Sequence, residues 1–265
     1  VRVDSRKMPY DIFVYTKGME LHDGDKVVVK IKEWPADTKS PTGEIIDVLG
    51  PAGDNDTEMH AILAEFNLPY KYPEEVEKAA DAIPELIPAE EIARRRDFRG
   101  VTTFTIDPAD AKDFDDALSI RPVGENRWEV GVHIADVTYY VQEESIIEAE
   151  GRERATSVYL VDRTIPMLPE KLSNYLCSLR PDEEKLCFSA VFEMDADLNI
   201  TNEWLGRTVL RSDRRFTYEE AQRIIETGEG NFREEVLTLN MLAQKMRAER
   251  FRNGAYRVNR QQRTN

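Results

Sequence analysis

The sequence predicts an α+β protein: a partial β-barrel fragment followed by a mixed α/β block. Three observations predict this. Residues 10–49 hold three short runs rich in Val, Ile and aromatics with no helical pattern between them. From residue 101 strand patterns alternate with helix patterns that carry recognisable caps. Between these regions, Gly50-Pro51-Ala52-Gly53-Asp54-Asn55 is the clearest boundary in the chain.

The first strands are expected at Asp11–Thr16, Lys26–Ile31 and Glu44–Leu49, separated by the turn-formers Asp23-Gly24-Asp25 and Ser40-Pro41-Thr42-Gly43. Three strands without a helix make a poor independent domain, so they read as the end of a small barrel that begins upstream. Residues 53–95 read as a helical linker, with Met59, Ile62, Leu63 and Phe66 at helical spacing and Pro73, Pro84 and Pro88 as punctuation. Strands follow at Val101–Ile106, Ala117–Pro122 and Trp128–Val137. Ser145 and Glu148 are placed to cap a helix, and Thr217 and Glu220 another. Lys185–Met194 and Ile200–Leu210 read as paired strands around the turn Asp195–Asn199, and 232–252 as an Arg-rich helix. The domains are therefore expected at 1–52, 53–95 and 96–265.

The chain has 265 residues and a formal charge of −15. That charge argues against non-specific coating of nucleic acid, because phosphate contacts need Lys and Arg. It is unevenly spread, however: residues 100–200 carry 21 acidic and 9 basic side chains, and residues 201–265 carry 9 and 13. No apolar run approaches the roughly 20 residues that span a bilayer, and no secretory leader is visible. Cys177 and Cys187 are too few for a disulfide framework or an all-cysteine metal cage, which makes a reducing cytoplasm the natural compartment. The first residue is not Met, so the chain reads as a fragment or a processed product.

The strongest feature is IDPADAKDFDDALS at 106–119, where Asp107, Asp110, Asp113, Asp115 and Asp116 fall within ten positions, from one expected strand to the next. Converging carboxylates repel one another and call for positive charge. Hard divalent ions such as Mg²⁺ or Mn²⁺ take carboxylate oxygens and leave room for water and phosphate. Asp113 and Asp115 share a face of an extended segment, and Asp107 can swing to the same side across the Pro108 loop. Such a set can hold two ions about 4 Å apart, the arrangement used in phosphodiester hydrolysis. A solvated acidic loop is the competing reading. A calcium loop fails, because Leu118 stands where its closing Glu belongs. The D-x-D pattern of nucleotide-sugar glycosyltransferases leaves Asp107 and Asp116 without a role.

IDPADAKDFDDALS, with WEVGVHIADVTYYV at 128–141 and RATSVYLVDRTIPMLPEKLSNYLCSL at 154–179, resembles the ribonuclease II/ribonuclease R family, whose catalytic domain is called RNB. The three blocks share the family's order and spacing, and the SVYL and SNYLCSL wording stands closer to bacterial ribonuclease R. Weaker similarity reaches back to residue 1, where the family ends its second cold-shock, OB-type domain. The resemblance implies an N-terminal part of an RNB domain after a partial OB-type barrel. It implies Mg²⁺, with Mn²⁺ as an alternative, held by Asp107, Asp113, Asp115 and Asp116. Asp113 and Asp115 are the catalytic pair, and Asp115 is the residue whose amide replacement stops cleavage and spares RNA binding. It implies processive 3′→5′ hydrolysis of single-stranded RNA to nucleoside 5′-monophosphates, with no DNA or membrane partner. Tyr159 is implied to stack near the terminal nucleotide.

Other residues are read from their own surroundings. His133 alternates with apolar neighbours and reads as a core histidine, while Asp136 and Tyr139 are candidates to line the RNA channel. The basic residues Arg207, Arg211, Arg214 and Arg215, with the Arg-rich helix, are candidates to guide the RNA backbone, and Arg94-Arg95-Arg96 to touch phosphate or lie on a solvated face. The chain lacks the family's later TSPIRRYPDL-type motif, whose arginine contacts the scissile phosphate, and its S1 domain. Its polar ending, Tyr256 to Asn265, departs from the family pattern. The chain is thus read as truncated at both ends, with a catalytically inactive RNA-binding member of the family as the alternative.

Overall fold

The computed structural model describes residues 1–4, 8–16, 18–161 and 163–255; the polar ending from Tyr256 lies outside them. The chain divides into two compact units at Pro73 and Glu74.

In the first unit, β1 (Phe13–Val14), β2 (Asp25–Glu33) and β3 (Thr42–Pro51) form a sheet in the order β1-β3-β2, with β2 antiparallel to β3 and β1 parallel to it. The Val- and Ile-rich runs pair over most of their length, whereas only two of the six residues expected at Asp11–Thr16 do. Helix α1 (Asn55–Glu65) starts at Asp54, whose carboxylate accepts from the Asp56 and Thr57 amides. It docks on the strands through buried Thr57 and Leu63 and an ion pair of 2.6 Å between Glu58 and Lys26. Gly50 has φ 120°, and a Cβ there would lie 2.8 Å from the Thr57 hydroxyl, so the close approach of helix and strand needs glycine. The 53–95 stretch, expected as one linker, is shared: α1 belongs to the first unit, while α2 (Glu74–Asp81) and α3 (Ala89–Ala93) belong to the second.

The second unit is built on seven strands: β4 (Arg96–Asp97), β5 (Thr103–Asp107), β6 (Asp116–Gly124), β7 (Arg127–Ala135), β10 (Glu184–Asp195), β11 (Ile200–Arg211) and β12 (Arg214–Thr217). After β7 come the helices α4 (Val137–Tyr140) and α5 (Ile146–Arg154), and then a separate hairpin that pairs β8 (Val158–Tyr159) with β9 (Thr164–Ile165). The sheet order is β12-β5-β6-β7-β10-β11-β4; the five central strands are antiparallel and each outer strand is parallel to its neighbour. The α+β class and the pairing of the last two long strands match the sequence expectation. Asp195 closes their turn by accepting from the Asp197 and Asn199 amides at 2.9 and 3.0 Å.

Helices α6 (Tyr218–Thr227) and α7 (Arg233–Arg252) cover one face of the sheet. Phe104 and Phe216 meet edge to face there and pack with Ala221, Ile224 and Val236, while Leu242 of α7 packs on Ile120, Val130 and Met194. Each buried Phe contributes roughly 1.5–3 kcal/mol of transfer free energy. On the opposite face, four strands each supply one polar side chain to a buried chain of hydrogen bonds. His133 meets Ser189 at 2.6 Å and Ser119 at 2.8 Å, and Ser189 meets Thr208 at 2.6 Å. Phe98 closes over the imidazole edge to face. His133 is fully buried, and burial, with Arg96 beside it, pushes its pKa down to about 4.

Candidate active site

The acidic loop lies between two neighbouring strands: β5 ends on Asp107 and β6 begins on Asp116. The two strands pair only through Thr103–Ser119 and Phe104–Leu118, so beyond Phe104 they part and the loop opens. Phe114 anchors it. Its ring is buried, its amide donates to Ser178 Oγ at 3.0 Å, and its carbonyl accepts from the Leu179 amide at 2.8 Å. Ser178 and Leu179 follow a short π-helical turn, Lys171–Leu176. Because Phe114 points inward, its neighbours Asp113 and Asp115 are turned outward. The Asp115 carbonyl accepts from the Ala135 amide at 2.9 Å, tying the loop's end to β7. Asp107 is buried, Asp113 half-buried, and Asp110, Asp115 and Asp116 are open to solvent.

The carboxylates act on one another. Asp115 is pushed up to about 6, first by the dense packing beside its open side and then by the charges of Asp113, Asp116 and Asp107. Asp107 is also raised, mainly by burial, with the neighbouring Thr105 hydroxyl and then Arg215 opposing the push from Asp116 and Asp113. Oδ2 of Asp107 is buried and has no hydrogen-bond partner. Among the described residues, no three acidic, His or Cys side chains stand close enough to hold an ion as placed. In chemistry the set nevertheless fits a hard divalent cation: every donor is a carboxylate oxygen, one is an orphan, and added positive charge relieves the mutual repulsion.

Tyr159 stands on β8 with its ring 69% exposed, and its hydroxyl lies 3.4 Å from Asp113 Oδ2. The structure thus brings Tyr159 to the aspartates. The arginines are dispersed, because they lie on strands, where alternate residues face opposite sides, and the chain turns between β11 and β12. Arg211 is exposed at the end of β11. Arg214 lies over the Phe216 ring and pairs with Glu220 at 3.2 Å. Arg215 donates to the carbonyls of Pro108 and Ala109 at 2.5 and 2.8 Å and lies over the Phe114 ring.

Several expectations are corrected by burial. Asp136, a candidate for the channel wall, forms a buried pair with Arg95 at 2.8 Å, and Arg207 approaches it at 3.5 Å. Tyr139 lies against the Arg95 guanidinium. Arg95 therefore touches no phosphate; it bonds Glu91 and the carbonyls of Cys187 and Thr208, while Arg96 pairs with Glu129 at 2.6 Å. Sequence reasoning missed Ser178 and the carbonyl-binding role of Arg215. The first lay inside the SNYLCSL block, where only the resemblance marked it. The second had no signal, because its partners are carbonyls more than 100 positions away.

Acidic loop, strand order and neighbouring tyrosine together define the class. The RNB domain profile matches residues 95–265 and a cold-shock domain profile matches residues 1–73, and the chain belongs to the RNB family. It is 44% identical over 206 residues to ribonuclease R of Aquifex aeolicus, covering 78% of this chain and 29% of that protein. Its fold superposes on Mycoplasma genitalium RNase R in complex with double-stranded RNA with a TM-score of 0.83 at 25% identity, covering 94% of this chain and 45% of that one. It is also similar to yeast Ssd1, described as a pseudonuclease, with a TM-score of 0.69 at 25% identity, over 91% of this chain and 31% of that one. The chain thus spans less than half the length of these relatives.

Proposed function

We propose that this chain carries the metal-binding half of an exoribonuclease site that hydrolyses single-stranded RNA from its 3′ end, releasing nucleoside 5′-monophosphates. The observation that supports this best is the loop 107–116, mounted between diverging strands, with an orphaned Asp107 oxygen and Tyr159 beside Asp113. Asp107, Asp113, Asp115 and Asp116 would hold Mg²⁺, which when bound supplies Lewis-acid activation of water and stabilisation of the leaving oxygen, with two ions as the family-like case. Tyr159 stacks on the terminal base, a contact indifferent to base identity. Arg211, exposed at the end of β11, meets the RNA backbone. A reducing cytoplasm is the compartment that goes with this reading; both cysteines are buried. Among the described residues no helix is long and apolar enough to cross a membrane.

The test uses 3′-labelled single-stranded RNA with Mg²⁺. Mononucleotide release that stops in Asp115→Asn, with RNA binding kept, supports the reading; internal cleavage, or full activity in EDTA, counts against it. A second reading, RNA binding without turnover, is favoured by the likeness to Ssd1, described as a pseudonuclease. It requires that the chain bind RNA yet release no nucleotide even when extended to the length of its relatives.

A further inference from the structure

We propose that Arg215 is a positioning residue that clasps the acidic loop and acts on RNA only through the aspartates it places. The proposal rests on reading that loop as a divalent-cation site. Arg215 leaves the edge strand β12, which runs parallel to β5 with Arg215 opposite Thr105 and Thr217 opposite Asp107. From there its Nη2 donates to the carbonyls of both Pro108 and Ala109, the first two residues after Asp107. The Cζ of the same guanidinium lies 5.2 Å from the centre of the ring of Phe114, the residue between Asp113 and Asp115. One side chain therefore touches the loop next to its first aspartate and again between two of the others.

Nothing else described on β12 reaches the loop in this way. Arg214, one residue earlier, points to the other face and is held by Glu220. The contacts of Arg215 also require its shape. Two carbonyls are met by one nitrogen at its end while the guanidinium carbon lies over an aromatic ring, a combination a flexible ammonium cannot reproduce. Lysine would keep the charge, lose the planar face and end one bond short of the carbonyls. A phosphate-guiding arginine, by contrast, would present its donors outward, whereas Nη2 of Arg215 is turned back on the protein's own backbone.

The experiment compares the wild-type chain with Arg215→Lys and Arg215→Gln in three measurements: Mn²⁺ titration, binding of a labelled oligoadenylate in EDTA, and amide hydrogen exchange. Both variants are expected to weaken Mn²⁺ binding by about 10-fold or more and to speed exchange at Ala111, whose amide donates to the Pro108 carbonyl, and at Ala135. RNA affinity without metal is expected to stay unchanged, and lysine not to rescue. Loss of RNA affinity in EDTA that lysine restores, with Mn²⁺ binding and exchange unaltered, overturns the proposal. If the wild-type chain binds no Mn²⁺, the cation reading fails, yet exchange still decides: unchanged protection at Ala111 and Ala135 in both variants sinks the clasp. Should the variants lose protection across β7 and β10 as well, Phe114→Leu removes the stacked ring instead, and the same two amides must then exchange faster for the proposal to stand.

Discussion

The hydroxyl of Tyr159 lies 3.4 Å from Oδ2 of Asp113, while its ring stays exposed beside the acidic loop. That distance makes the hydrogen bond a weak one, so the ring rather than the hydroxyl carries the residue's contribution. Tyr159→Ala is expected to lower affinity for single-stranded RNA by roughly 5- to 150-fold, the loss of one base stack. Tyr159→Phe should bind like the wild type. Fluorescence anisotropy with a labelled oligonucleotide measures both, and equal loss in the two variants would assign the effect to the hydroxyl.

Asp115 holds its proton up to about pH 6 in the folded chain, because packing and three neighbouring carboxylates oppose its charge. The unfolded carboxyl titrates near 3.9, so the folded state binds more protons between these values and stability falls as pH rises through that window. Asp115→Asn should therefore raise the urea midpoint of the metal-free chain at pH 7.5 and leave it unchanged below about pH 4. Mg²⁺ or Mn²⁺ should lift the wild-type midpoint and not that of the variant. A variant less stable than wild type at pH 7.5 would contradict this.

His133 gives the opposite sign. Burial holds its folded pKa down to about 4, while the unfolded imidazole titrates near 6.5. Unfolding takes up a proton between those values, so this residue removes stability as pH falls from about 6.5 to 4. Urea midpoints of His133→Gln should vary less over that window than those of the wild type. An identical pH slope in both would show that the imidazole is protonated in the fold.

Asp136 and Arg95 form a pair whose side chains are both 1% exposed. Asp136→Asn leaves the guanidinium with Glu91 as its carboxylate partner and is expected to cost about 3 kcal/mol, the scale for breaking a buried ion pair from one side. Chemical denaturation reads this directly. RNA affinity of the folded fraction should not change, since neither group faces the loop.

What the sequence disclosed was local. The turn at Asp195, the caps at Ser145 and Thr217 and the Val- and Ile-rich strands depend on neighbours a few positions away, and the structure keeps them. The aspartates were legible as a cluster because they are close in sequence. Their support was hidden. Ser178 holds Phe114 across 64 positions, and the edge strand Arg214–Thr217 lacks the apolar alternation that marks a strand. The arginines at 207–215 suggested a surface set because spacings of three to four bring side chains together on a helix; strands instead scatter them to both faces. Asp136 looked available until folding placed Arg95 against it.

The register that puts Thr217 beside Asp107 has an electrostatic consequence. Thr217 is also the N-cap of α6, closing a capping box with Glu220, so a helix begins where the acidic loop departs. The amino end of that helix carries about half a positive charge, worth roughly 0.3–1 kcal/mol to a nearby anion. Such a dipole would favour charge on Asp107 in the same sense as Arg215, and would do so without covering the carboxylate oxygens. The cluster can thus stay negative enough to attract a cation and bare enough to bind one.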